Sequence, residues 1–228
     1  MNQLVQLHSG DASARLVPGA GGRITALRLV RPGAGVVEIL HPYPEDFFDP
    51  IRWAKGGIYP LMPYSNRIAQ ATVQVHGQAL ALKAHPDAAP HSLHGNAHTL
   101  AWRLALSDAS SAVMTVDSPA SAAWPWHSTG RMQVELIPGA LRVAMEIRNT
   151  DSRTMPAGIG PQHGSATRPA VSGRQAPSFC LAPSGRHRLT KFTGPRAPCR
   201  LADGPTMWAA GTAWPRSSCR TQLVPAPV

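Results

Sequence analysis

At 228 residues the chain is long enough for one large domain or two small ones, and its 43% hydrophobic content is ordinary for a globular protein. With 23 Pro and 20 Gly against only 15% charged residues, the composition argues against a mostly helical protein and for many turns, so an all-β fold leads. The net charge of +10 would ordinarily invite a nucleic-acid or membrane-surface reading, but residues 1–160 hold 13 Lys/Arg and 11 Asp/Glu, whereas residues 161–228 hold 9 Lys/Arg and the single acid Asp203. The basic character belongs to the last third alone.

In chain order, the first residues lack a basic stretch followed by a sustained apolar one, and no run approaches membrane-spanning length. The chain therefore reads as soluble and cytoplasmic, with no membrane partner. RITALRLV, Arg23 to Val30, is a predicted strand opened by the pair Gly21-Gly22. Ala71 to His76 and Ala79 to Leu82 form a predicted hairpin about a Gly77-Gln78 turn. Trp102, Leu104 and Leu106 are expected along one face of the next strand. Met132, Val134 and Leu136 precede the turn signal Pro138-Gly139, after which Leu141, Val143, Met145 and Ile147 alternate with polar or small residues. Strands joined by short turns predict antiparallel sheets.

After Gly160 the texture changes. Acids all but vanish, Pro, Arg and Ser scatter, and no alternation is sustained, so poor packing or disorder is expected over residues 161–228. Cys180, Cys199 and Cys219 lie there too, odd in number and without paired zinc-ligand spacing. The division expected is a β-sandwich portion over residues 1–160 and a basic tail over 161–228.

Two polar features could carry chemistry. The first is a run of five histidines, His76, His85, His91, His94 and His98. Its Gly- and Asn-containing texture is loop rather than helix, and Asp87 is the one carboxylate at hand, so loop histidines are favoured over a metal site. The second is GGIYPLMPYSNRI, residues 56–68, in which stiff proline-bearing backbone leads into Asn66-Arg67. Those side chains could donate to several hydroxyl or carboxylate oxygens, and on bare chemistry a structural ion pair is at least as good a reading.

Taken together, GGIYPLMPYSNRI, the LHG of HSLHGNAHTLAW and the Trp after it resemble the aldose 1-epimerase family in order and spacing. PGAGGRITAL resembles that family's early Gly-Gly strand, and WPWHSTGRMQVELIPGALRVAMEIRNTDSRTMPAGIG its central hairpin region, so the resemblance covers about residues 15–160. It implies a β-supersandwich, incomplete here at its carboxyl-terminal end, that holds an aldohexose in an open cleft without a cofactor. The implied reaction interconverts α and β anomers by opening the hemiacetal. By the same resemblance Arg67 and Asn66 match sugar-binding residues, and His94 matches the first active-site histidine, near the sugar's ring oxygen. His91 reads as structural or rim.

The pattern breaks at its second histidine. Gly158-Ile159-Gly160 is followed by Pro161-Gln162-His163, one place late and without the family's Pro-Tyr-Phe, so His163 is the displaced candidate for the second catalytic histidine. The family's later Asp and catalytic Glu have no counterpart, since residues 161–228 contain no Glu. A shift of reading frame near codon 161 accounts for composition, charge, cysteines and lost motifs together. Impaired mutarotation, open sheet edges and low solubility are then expected. A non-catalytic carbohydrate-binding protein is the alternative. A nucleic-acid partner ranks last, because the tail lacks interleaved aromatics or a recognisable module.

Overall fold

The computed structural model describes residues 3–49, 51 and 56–164, together with the backbone of Cys180–Pro183 and Ser217–Val224. Among these there is no α-helix, only three single turns of 3-10 helix, and no helix long and apolar enough to cross a membrane. The chain lays down β1 (Val5–Ser9), β2 (Ala12–Val17), β3 (Arg23–Arg31), β4 (Gly35–Glu38) and β5 (Ile58–Leu61). Short ribbons follow, β6 (Arg67–Ile68), β7 (Thr72–Val75), β8 (Gln78–Ala81) and β9 (Ser92–Leu93). Next come β10 (Arg103–Ser107), β11 (Ser111–Ser118), β12 (Ser128–Ile137), β13 (Ala140–Asn149), β14 (Gly160–His163), β15 (Cys180–Pro183) and β16 (Ser217–Val224). One antiparallel sheet has the order β1-β2-β3-β5-β14, with β4 also on β3, and the second runs β10-β11-β12-β13-β16-β15.

The hairpin β12–β13 shows why the second sheet forms. Met132 pairs with Met145, Val134 with Val143 and Leu136 with Leu141, and all six are buried, while Arg131, Arg142 and Arg148 are exposed. A period-2 pattern places one set inside and the other in water. Their inner face packs with Leu7, Leu16, Ile24 and Ile58 of the first sheet in one core. That core also holds Tyr64, Trp124 and Trp126, whose rings meet at a tilt with centroid distances of 5.3 and 4.8 Å.

Three local expectations shift. The β7–β8 turn is His76-Gly77, not Gly77-Gln78: Val75 pairs with Gln78, and both turn residues have positive φ, 50° and 79°, as a two-residue hairpin requires. Leu106 does not share the face of Trp102 and Leu104. The β10–β11 register slips between Leu104 and Leu106, which leaves Leu106 69% exposed while Trp102 is buried. Beyond Gly160, where alternation fails, β14 pairs with β5 and β16 with β13, from Leu141↔Leu223 to Ile147↔Ser217. The edge of β13 is thereby covered, which removes unpaired backbone groups that an isolated hairpin would expose. The disorder expected for the rest of the tail falls on residues outside those described.

The crossing of the loop after β5 with the loop that carries His94 depends on Gly95. Its φ is +67°, and a Cβ there would lie 1.9 Å from the carbonyl oxygen of Met62, with which it forms a parallel bridge. Gly139, at φ +73° in the β12–β13 turn, has nothing within 4 Å of that position. Gly139→Ala should therefore cost about 1–2 kcal/mol, the strain of a left-handed L-residue. Gly95→Ala should cost more, because backbone must also move. Urea unfolding of the two variants checks the order, and equal losses would contradict it.

Candidate functional site

The site is assembled by a backbone clamp. β5 is buried on both faces between β3 and the edge strand β14 of the first sheet, and the chain leaves it at Met62. The Met62 carbonyl accepts from the amides of Asn96 and Ala97 at 3.0 and 3.1 Å, and the Pro63 carbonyl accepts from Gly158 at 2.7 Å. Tyr64 is buried against Trp124. With those anchors inside, Ser65, Asn66 and Arg67 emerge toward solvent.

β6 then pairs with β9, Arg67 opposite Leu93 and Ile68 opposite Ser92, which brings Asn66 to His94. Both residues are left-handed, φ 64° and 63°, a conformation that Asn and His tolerate better than most. They bond reciprocally: the His94 amide donates to the Asn66 carbonyl at 2.9 Å, and the Asn66 amide donates to His94 Nδ1 at 3.1 Å. Asn66 and Arg67 are exposed and His94 is half-buried. Among the described residues Arg67 makes no ion pair, so its guanidinium is not consumed by a carboxylate there.

The hydrogen bond to Nδ1 decides the chemistry of His94. A ring nitrogen that accepts carries no proton, so the neutral imidazole keeps its proton on Nε2 and presents a donor. Burial first, then the positive charge of Arg67 and the neighbouring His85, hold its pKa down at about 4. At neutral pH the group offers Asn66, Arg67 and an uncharged Nε2–H.

The other histidines are placed differently. His91 Nδ1 accepts from the Gln70 amide at 3.0 Å and His85 Nδ1 from the Asp87 amide at 3.1 Å, as loop histidines do. Among the described residues no three His, Cys, Asp or Glu side chains converge as metal ligands would. His163 lies opposite Ile58 on β14, half-buried, with its pKa lowered by burial, while Gln162 lies opposite Tyr59. Residues paired across strands share a face and neighbours alternate. The one-place delay therefore puts His163 on the Ile58 side and Gln162 on the side where Tyr59 meets His98, their ring centroids 5.9 Å apart. The structure brings Asn66, Arg67 and His94 together and places His163 on β14 opposite Ile58.

Sequence reading assigned no site role to the buried polar residues Arg23, Asn96, His98, Ser118 and Ser128. Asn96 donates to Ser118 at 3.1 Å. Lone polar residues in loops or apolar strands carry no periodic signal. A separate groove of about 460 Å³ crosses the outer face of the second sheet between Arg103, Thr115, Asp117, Arg131, Glu146 and Arg148. None of the three clustered residues lines it.

The two-sheet β-fold is that of the galactose mutarotase-like proteins. The chain belongs to the aldose 1-epimerase family, whose model matches residues 3–162. Among solved structures, a galactose mutarotase-like protein from Clostridium acetobutylicum is similar at 18% identity and TM-score 0.60, over 71% of this chain and 50% of that one. A Synechocystis sp. PCC 6803 protein is 21% identical at TM-score 0.59, over 79% and 58%. A GalM/aldose epimerase homologue from C. elegans is 15% identical at TM-score 0.57, over 66% and 47%. The chain thus spans about half the length of these structures. No curated protein matches it.

Folded His94 refuses a proton until about pH 4, whereas the unfolded chain takes one up near pH 6.5. Stability is therefore retained above pH 6.5 and falls as the pH drops from there toward 4, below which this contribution levels off. Urea midpoints between pH 7.5 and 4 should decline, and His94→Gln should make the decline shallower. An unchanged slope in that variant would contradict the assignment.

Proposed function

We propose that the chain carries the sugar-holding half of an aldose 1-epimerase site for aldohexoses such as glucose or galactose. The observation that carries this reading is the reciprocal Asn66–His94 pair beside an Arg67 that no described carboxylate engages. A pyranose is rich in acceptor oxygens, and Arg67, the Asn66 side-chain amide and His94 Nε2–H are donors.

Anomer exchange needs a proton taken from the O1 hydroxyl and one delivered to the ring oxygen, so that the C1–O5 bond opens, the carbonyl turns over and the ring recloses. His94 Nε2–H suits the ring-oxygen side as a hydrogen-bond donor. Each positioned acid or base contributes roughly 10²–10⁴-fold. The base has no candidate: residues 161–228 contain no Glu and only Asp203. His163 gains no support as the second acid from its register opposite Ile58.

The family match ends at residue 162, where the acids vanish. We read residues 1–160 as the family's amino-terminal and central part, and residues 161–228 as the product of a shifted frame. Translating the gene in its other two frames after codon 160 should give a His-Pro-Tyr-Phe-like segment and later acids. If neither frame does, that reading fails.

Sugar binding without efficient turnover follows. Calorimetry with D-galactose and D-glucose should show binding that weakens about 10–100-fold in Arg67→Ala, the loss of a charge-assisted hydrogen bond. Polarimetry on freshly dissolved α-D-glucose should show mutarotation close to the uncatalysed rate. A rapid, protein-dependent rate would overturn the impairment, and unchanged affinity in Arg67→Ala would overturn the site.

A further inference from the structure

On the outer face of the second sheet, strand register builds a second polar arrangement. Arg103 lies opposite Thr115, Thr115 opposite Arg131 and Arg131 opposite Glu146, so one row crosses β10, β11, β12 and β13. The next row on that face runs from Asp117 through Thr129 to Arg148. In both rows a threonine stands between longer side chains, and the short residues floor the groove of about 460 Å³. Neighbouring strands lie about 4.8 Å apart, which puts the backbones of Arg103 and Arg131 roughly 10 Å apart across Thr115. Arg148 is the diagonal neighbour of Arg131, a spacing that long side chains bridge.

A wet sheet face needs polar groups, and cross-strand ion pairs are the ordinary way to place charge there. The same hairpin shows one, Arg142 meeting Glu135 at 3.6 Å. Arg131 and Glu146 are opposed in the same way, yet among the described residues neither they nor Arg103 and Arg148 form an ion pair. Arg131 rests on Gln133 Oε1, 3.4 Å from both terminal nitrogens, a weak hold. Asp117 is taken by His127 at 2.7 Å. Three guanidiniums and one uncommitted carboxylate, Glu146, thus face the groove, an excess of two positive charges.

We propose that this groove binds the phosphomonoester of a small hydroxylated molecule: the phosphate lies over Thr115 and Thr129 among Arg103, Arg131 and Arg148, and a ligand hydroxyl donates to Glu146. A phosphomonoester carries about −1.5 to −2 charge at neutral pH and three strong acceptor oxygens. That matches both the charge excess and a donor set of guanidinium forks and threonine hydroxyls. A carboxylate would bring less charge and fewer oxygens, and would leave a guanidinium without a partner. No aromatic side chain lines the groove, so it offers no platform on which a nucleic-acid base could stack. The site is independent of the sugar reading, since Asn66, Arg67 and His94 do not line it.

The test is calorimetry of the full chain at low ionic strength with three probes: sorbitol 6-phosphate, sorbitol and inorganic phosphate. Sorbitol 6-phosphate, acyclic and rich in hydroxyls, should bind and sorbitol should not, and added salt should weaken the binding. Arg103→Ala, Arg131→Ala and Arg148→Ala should each weaken it about tenfold, the loss of a charge-assisted hydrogen bond. Glu146→Gln should weaken sorbitol 6-phosphate without weakening inorganic phosphate. Thr115→Glu sets a carboxylate between Arg103 and Arg131, so binding should vanish while the urea midpoint holds or rises. No heat at millimolar sorbitol 6-phosphate, or an affinity that the arginine replacements leave unchanged, would overturn the proposal. Binding lost in Arg67→Ala but kept in the groove variants would move the ligand to the loop cluster and do the same. Inorganic phosphate bound as tightly as sorbitol 6-phosphate would reduce the groove to a bare oxyanion site and overturn the ligand class.

Discussion

The carbonyl of Met62 is the point on which the site depends. Two amides from the following loop, those of Asn96 and Ala97, converge on that one oxygen, and Gly95 passes close enough that no side chain fits. Everything polar is referenced to this crossing. On one side the chain continues through buried Tyr64 to Asn66 and Arg67, on the other it runs back through Gly95 to His94. The rigidity of β5, buried on both faces, passes to exposed side chains through main-chain bonds, a sturdier route than contacts between flexible side chains.

The fold was legible where burial is one-sided. β12 and β13 write their register openly because each has one dry face and one wet face, so Met132, Val134 and Leu136 stand out against Arg131 and Glu135. β5 hides for the opposite reason: Ile58-Tyr59-Pro60-Leu61 is buried on both faces and contains a proline, so it neither alternates nor looks like a central strand. β6 and β9 are two residues each, too short to show any period. Leu106 shows the limit of pattern reading, since a single bulge reverses the faces of all that follows it.

For the site, the grouping of Asn66, Arg67 and His94 was legible from the order of motifs along the chain, not from any periodicity. The Asn66–His94 hydrogen bonds that settle the tautomer were not, because they join residues 28 positions apart through left-handed backbone. The reading of His91 and His85 as loop histidines agrees with rings that accept from nearby amides. His98 stood among the five histidines, but nothing in the sequence marked it as the buried one.

The three exposed or half-exposed groups at the loop tips share one property: toward a ligand, the guanidinium and the histidine Nε2–H can only give protons to hydrogen bonds, and the Asn66 amide adds two more such donors. A surface of that kind grips lone pairs without asking how they are arranged. It rewards the presence of many oxygens in a ring, and of the three groups the Asn66 side-chain oxygen alone can also accept from a hydroxyl. Carboxylates, which only accept when ionised, are the complementary partners for hydroxyl hydrogens. Beyond residue 160 the chain offers one acid, Asp203, so carboxylates that would accept from several hydroxyls at once have no source there.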